Sequence, residues 1–262
     1  MSQNVLVVHG GGPTAVINAS LYGVIEEAKR NPEVGKVYGA IGGTGAIFSE
    51  TFIDLTSFDD EKLKLLLHTP ASAIGSSRYP LYEKDYEKMV DIFKKHDIKY
   101  VLLNGGNGTM DACGHIYEVC KDQDIKVVGI PKTIDNDIAM TDHSPGYGSA
   151  ARFIAASTQE VGEDVKSLPI HVCIMEAMGR NAGWITAASA LARRKQGDAP
   201  HLIYLPERNF NEDEFLEDVA ALQKKQGGVV VLVSEGLHDE NGESIVPPIF
   251  KSERAVYYGD VS

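Results

Sequence analysis

Ile125-Lys126-Val127-Val128-Gly129-Ile130-Pro131-Lys132-Thr133-Ile134-Asp135-Asn136-Asp137 is an apolar run that passes into a polar turn. The β-branched residues at its start predict a buried strand, and Pro131, with no amide hydrogen to donate, predicts where that strand stops. Lys132, Thr133, Asp135 and Asp137 then fall at a strand's carboxyl end. In an open α/β sheet that edge is where ligands bind. Two carboxylates there can divide the work of phosphoryl transfer, one taking a proton from an attacking hydroxyl and the other helping to hold a metal ion. A solvated turn accounts for the same residues, because Asp and Asn favour turns for local hydrogen-bonding reasons. Taken alone, the stretch leaves both readings open.

Working outward, the same order of strand, loop and helix recurs. Val5-Leu6-Val7-Val8 leads through His9 into Gly10-Gly11-Gly12-Pro13-Thr14, and then into a helical pattern of Val16, Ala19, Ser20, Gly23, Val24 and Ala28 with Asn18 near its start. Ile98 to Leu103 opens into Asn104-Gly105-Gly106-Asn107-Gly108-Thr109, after which a helix is expected over 109–121. Backbone amides at such turns can hold phosphate, since glycine permits close approach and a helix start carries partial positive charge. Neither turn matches a P-loop or a dinucleotide fingerprint, so a purely structural glycine turn also stands. Between them, Val37 to Ile41 reads as a strand, Phe52 to Leu55 as an extended piece, 57–68 as a helix capped by Ser57, and 81–95 as a helix with Tyr82, Tyr86, Met89, Val90 and Phe93 inward. Further on come helices over 149–166, 185–194 and 211–225 and strands over 170–175, 201–206 and 228–233. Strands and helices alternate throughout, which predicts an α/β fold with mostly parallel sheets. The turn Pro145-Gly146-Tyr147-Gly148 predicts a boundary between domains at 1–147 and 148–262.

The 262 residues are more than one compact core usually organises, which favours two domains. Thirty-seven acidic against 25 basic side chains give a net charge of -12, which disfavours nucleic acid and anionic membrane as partners. An anionic substrate therefore needs local positive charge. Cys113, Cys120 and Cys173 have neither metal-ligand spacing nor an even count, which predicts reduced thiols in a cytoplasmic protein. No apolar run reaches the roughly 18 residues of a membrane span, and the start Met1-Ser2-Gln3-Asn4 lacks the basic opening of a signal peptide.

Four loops, each following an expected strand, resemble together the signature loops of the phosphofructokinase family: Gly10-Gly11-Gly12 leading to Asn18-Ala19, Gly105-Gly106-Asn107-Gly108-Thr109, Pro131 to Asp137, and Met178-Gly179-Arg180-Asn181-Ala182-Gly183. Ser234-Glu235-Gly236 and Ile74-Gly75-Ser76-Ser77-Arg78 are similar to the family pattern as well. The resemblance covers nearly the whole chain. It implies two Rossmann-like three-layer domains, the first binding the phosphoryl donor and the second the sugar phosphate, with the last part of both missing because the family continues past Ser262.

The resemblance also implies roles. Asp135 is the base for the sugar's 1-hydroxyl, Asp137 its acidic neighbour near the metal, and Lys132 a cation beside the transferring group. Thr133, Ile134, Met178, Gly179, Arg180 and Glu235 hold fructose 6-phosphate, while Gly11, Arg78, Tyr79, Gly106, Asn107, Gly108 and Thr109 lie along the donor. Magnesium is the implied cofactor, beside Asn107 and Asp137, and a homo-oligomer, dimer or tetramer, is the implied assembly. Asn107 departs from the aspartate usual at its position, and His171 from an arginine of the ATP enzymes. For the donor, glycine at Gly108 leaves room for the α-phosphate of ATP, whereas lysine at Lys132 is typical of pyrophosphate enzymes. The expectation is ATP with magnesium, pyrophosphate being second. A non-catalytic nucleotide sensor and a nucleotide-binding dehydrogenase are the other readings, separable by whether fructose 6-phosphate with nucleotide, nucleotide without turnover, or NAD protects against heat.

Overall fold

Eight residues of alternating inward and outward aim, Gln3–Gly10 (β1), set the first layer of the fold, and two sets of side chains pack on its opposite faces. The computed structural model describes residues 3–77 and 79–246, with strands Pro248–Lys251 and Val256–Tyr258 besides. Two compact units emerge, Met1–Thr133 and Ile134–Ser262. The division falls earlier than the turn at Pro145 to Gly148, and the reason is packing: Ile134 and Tyr147 both rest against the core of the second unit.

In the first unit, β1 is followed by Ala15–Arg30 (α1), Val34–Ala40 (β2), the short Gly45–Phe48 (α2), Phe52–Asp54 (β3), Asp60–Lys64 (α3), Glu83–Lys95 (α4), Ile98–Gly105 (β4), Asn107–Cys120 (α5) and Lys126–Pro131 (β5). The sheet order is β3-β2-β1-β4-β5, parallel except for β3. Leu6 and Val8 meet Met89 and Phe93 of α4 and Cys113, Ile116 and Cys120 of α5; Val5 and Val7 meet Leu21 and Ile25 of α1 and Leu63 of α3. Each such fully buried side chain contributes about 1.5–3 kcal/mol.

Some expectations are corrected here. The helix expected over 57–68 is three pieces, a 3-10 turn at Leu55–Ser57, α3, and a second 3-10 turn at Leu65–His68. Its cap is Asp59, whose carboxylate accepts the Lys62 amide at 2.8 Å, while Ser57 turns its hydroxyl back to Asp54 O. Tyr82 is the exposed N-cap of α4 and not part of its inward face. The β5 strand is half exposed, with Val128 51% accessible. It lies at the sheet edge, where Pro131 withholds no ladder bond from a neighbour, so the strand runs through Pro131, and the Lys132 amide bonds Gly105 O at 2.8 Å.

The second unit runs Tyr147–Ser167 (α6), Val172–Ala177 (β6), Trp184–Ala188 (α7), Leu202–Tyr204 (β7), Glu212–Gln226 (α8) and Val229–Ser234 (β8), followed by an antiparallel pair, Pro248–Lys251 (β9) and Val256–Tyr258 (β10). Its parallel sheet has the order β6-β8-β7, with every residue of β8 buried. The helix expected over 185–194 is α7 and a 3-10 turn at Ser189–Ala192. In α8 the Asn211 side chain accepts the Glu214 amide at 3.1 Å, and three acids occupy the first turn, a favourable charge at the positive helix end. Among the described residues no helix is long and apolar enough to cross a membrane.

Candidate active site

The crossovers β1-α1-β2 and β4-α5-β5 leave the first sheet in opposite directions, so the carboxyl ends of β1 and β4 border a topological switch point. His9 pairs with Asn104 there, and Gly10 with Gly105. The two glycine loops are thereby brought side by side. A Cβ on Gly10 would collide with the Thr109 side chain, and one on Gly105 with Gly10 O and Thr109, so only glycine permits this approach. Gly106 is the N-cap of α5, the Thr109 amide bonds Gly106 O at 2.9 Å, and the first turn carries no acidic residue. That helix start, with Asn107 and Gly108 exposed beside it, is suited to an anion.

Lys132 is 7% exposed, and its ammonium donates to Gly12 O. A buried cation is thus seated on the first glycine loop, which is the local positive charge that an acidic chain needs for an anionic substrate. Thr133 is also buried. Tyr79 is half exposed, with its ring 5.9 Å from that of Phe48. Arg78 lies outside the described residues.

The quoted stretch is shared out between the units, Lys132 and Thr133 closing the first and Ile134 to Asp137 opening the second. Asn136 takes a left-handed conformation, φ 58°, at 7% exposure; its Oδ1 accepts the Ser144 amide at 2.7 Å and its Nδ2 donates to Asp142 O at 3.1 Å. It therefore fixes the backbone from which Asp135, half buried, and Asp137, exposed, project on either side.

Within the second unit Asp135 has company. A Cβ on Gly179 would lie 4.0 Å from Asp135 Oδ1, and Gly179 itself has φ 113°. The Gly179 amide donates to Glu235 Oε1 at 3.1 Å, the Arg180 guanidinium stands 3.5 Å from Glu235 Oε2, and the Ser234 hydroxyl donates to Gly179 O at 2.9 Å. The end of β8 thus grips the Gly179-Arg180 turn, with Asp135 against it. Met178 beside them is 60% exposed, whereas Ile134 packs into the second core.

Asn136, Ser144 and Ser234 hold the site and were not singled out by sequence for that work. Asn136 carried the one usable signal, as an asparagine between two aspartates in a turn. The three thiols are free; burial pushes Cys113 and Cys173 up and Cys120 to about 11, which disfavours thiolate chemistry. Among the described residues no group of three His, Cys, Asp or Glu could hold a metal ion. Asp137, exposed in the second unit, presents a carboxylate, the oxygen donor type that magnesium prefers.

Residues 4–258 match the family profile of phosphofructokinase. A pyrophosphate–fructose 6-phosphate 1-phosphotransferase of Rhodospirillum rubrum is 42% identical over 259 residues, covering 98% of this chain and 64% of that protein. An ATP-dependent 6-phosphofructokinase of Amycolatopsis methanolica is 30% identical over 88% of this chain and 50% of its own length. The crystal structure of a pyrophosphate-dependent phosphofructokinase from Marinobacter aquaeolei superposes with a TM-score of 0.82 at 40% identity, over 91% of this chain and 62% of that one. The chain spans less than two thirds of the length of these relatives. With the fold, the paired glycine loops and the profile in agreement, the chain belongs to the phosphofructokinase family.

Proposed function

We propose that the protein transfers a phosphoryl group from inorganic pyrophosphate to the 1-hydroxyl of fructose 6-phosphate, giving fructose 1,6-bisphosphate and phosphate. The observation that carries the choice of donor is the buried Lys132 ammonium on the first glycine loop. A cation held there stabilises charge on a small donor that brings no nucleotide to anchor it. The names of the Rhodospirillum and Marinobacter relatives support the same donor. Asp135 takes the proton of the 1-hydroxyl as its oxygen attacks phosphorus, and the bond to the departing phosphate breaks in line. Arg180, with Glu235 steadying it, holds the sugar phosphate together with Met178, Gly179, Thr133 and the main chain of Ile134. Gly11, Gly106, Asn107, Gly108 and Thr109 cradle the donor through backbone amides, and Arg78 and Tyr79 are assigned to the donor as well. Asn107 and Asp137 would hold magnesium, which when bound neutralises phosphate charge. A homo-oligomer in the cytoplasm completes the proposal.

One observation favours ATP instead, the donor expected from sequence. A Cβ on Gly108 would meet nothing within 4 Å, so space remains for an α-phosphate. Room permits a nucleotide without recruiting one, whereas the buried Lys132 cation supplies the anchoring charge that a small donor lacks, and the names of the relatives agree with it. Parallel assays of the full chain with each donor decide the matter. A higher specificity constant for ATP overturns the choice of donor, and turnover with neither overturns the enzyme in favour of a nucleotide sensor.

A further inference from the structure

His9 is fully buried at the end of β1, one residue before the first glycine loop, and the roles assigned above leave it unused. Its Nδ1 lies 2.8 Å from the Ser72 hydroxyl, and that hydroxyl donates its own proton to Gly75 O at 2.7 Å. Ser72 therefore accepts from His9, which places the imidazole proton on Nδ1 and leaves Nε2 unprotonated. The relay ends on Gly75, whose φ of 72° turns the loop. Around that turn, the loop is bonded to both neighbours: the Gly42 amide to Ile74 O at 2.9 Å, the Ser76 hydroxyl to Gly11 O at 2.7 Å, and the Gly11 amide to Ser77 O at 3.2 Å. From α1, buried Asn18 holds the loop's near end, donating to Thr69 O and Ala71 O and accepting the Ala73 amide.

We infer that His9 is a positioning residue for the phosphoryl donor: through Ser72 it sets the loop over 72–77 against Gly11, and so sets where the glycine loop presents its amides. The inference rests on the phosphotransferase reading for its kinetic consequence, though not for its structural one. An apolar side chain of like size would fill the same space. What it lacks is the proton on Nδ1, so the loop would lose its side-chain tether to β1 through Ser72 while the core stayed filled.

The test uses the full chain and three variants, His9→Leu, His9→Asn and Ser72→Ala. The asparagine amide nitrogen takes roughly the place of Nδ1 and keeps the donor; leucine keeps the bulk and loses it. Losing one such hydrogen bond corresponds to about tenfold. His9→Leu and Ser72→Ala are each expected to raise KM for the phosphoryl donor about tenfold and to leave KM for fructose 6-phosphate within about twofold, with His9→Asn close to wild type. Equal shifts for both substrates, no shift, or an asparagine variant as impaired as the leucine one overturns the inference. Should His9→Leu not fold, Ser72→Ala decides, since it cuts the same relay from the half-buried side. Amide exchange at Gly11 is read in parallel. His9→Leu and Ser72→Ala should speed it and His9→Asn should not, and unchanged exchange overturns the positioning even if wild type transfers no phosphoryl group, an outcome that by itself sinks only the phosphotransferase reading.

Discussion

The Lys132 ammonium donates to the main-chain oxygen of Gly12, which ties the end of the edge strand β5 to the loop that follows β1, across the intervening β4. Its charge is thus held in place before any substrate arrives. Lys132→Met should lower kcat with pyrophosphate by about two orders of magnitude, as loss of a preorganised cation does, with a smaller effect on KM for fructose 6-phosphate. Steady-state kinetics with each substrate varied checks this. A loss under about threefold would remove Lys132 from the stabilisation of the transferring group.

Asp135→Asn keeps shape and removes the base. Turnover should fall by about two orders of magnitude or more while fructose 6-phosphate still binds within a few-fold of wild type. Turnover close to wild type strikes Asp135 from the mechanism, and a large loss of heat stability in its place identifies a turn aspartate.

Arg180→Ala should raise KM for fructose 6-phosphate by about tenfold or more and leave that for the donor nearly unchanged. Glu235→Gln should act in the same direction more weakly, because its amide keeps an oxygen for the Gly179 amide and loses the charge facing the guanidinium. Equal effects on both substrates would contradict a sugar-phosphate role for the pair.

Asn136→Ala removes two side-chain hydrogen bonds and leaves a residue with a Cβ at φ 58°. A stability loss of about 2–3 kcal/mol is expected from the two together, seen as a lower urea midpoint with an unchanged slope. Asn136→Gly relieves the backbone and should recover part of it. If the two variants are equally destabilised, the left-handed backbone contributes nothing.

Burial holds the His9 imidazole at about 4, against an ordinary 6.5, so the folded chain refuses a proton that the unfolded chain accepts. Between those values the unfolded state binds more protons, and stability is lost as pH falls through that window and unaffected above it. From about pH 7.5 to pH 5, wild type should therefore lose about 2 kcal/mol relative to His9→Asn in urea unfolding. Parallel curves for the two proteins would show that His9 is not the group responsible.

Much of the layout was readable from pattern, and the failures have local causes. Val5 to Val8 and Ile98 to Leu103 announced their strands because apolar side chains serve both faces of a sheet covered on both sides. The β5 strand looked the same in sequence and proved half exposed, since an apolar run does not say whether a strand stands at the centre or the edge. Site residues were legible where a residue type has few other uses, as at Gly105, where any Cβ would strike Thr109. The work of Asn136 and Ser234 was not, because it depends on a partner amide or carbonyl that only the folded chain supplies. His9 reads in sequence as one polar residue ending an apolar strand, and its partner Ser72 lies 63 positions away.

In the second unit's sheet the last of the three described strands in chain order, β8, stands in the middle. Until Val229–Ser234 enters between β6 and β7, those two strands have no hydrogen-bonded neighbour in their own sheet among the described residues, and both pairings in which β8 takes part span long stretches of chain. Closing such distant pairs costs loop entropy before any contact repays it, which makes them slow steps in folding. Ser234 and Glu235, which grip the Gly179-Arg180 turn, arrive with that same strand. A chain leaving the ribosome therefore has no means of shaping the turn for Arg180 until Val229–Ser234 has been synthesised, so the shaping of that turn and the joining of β6 to β7 are one event.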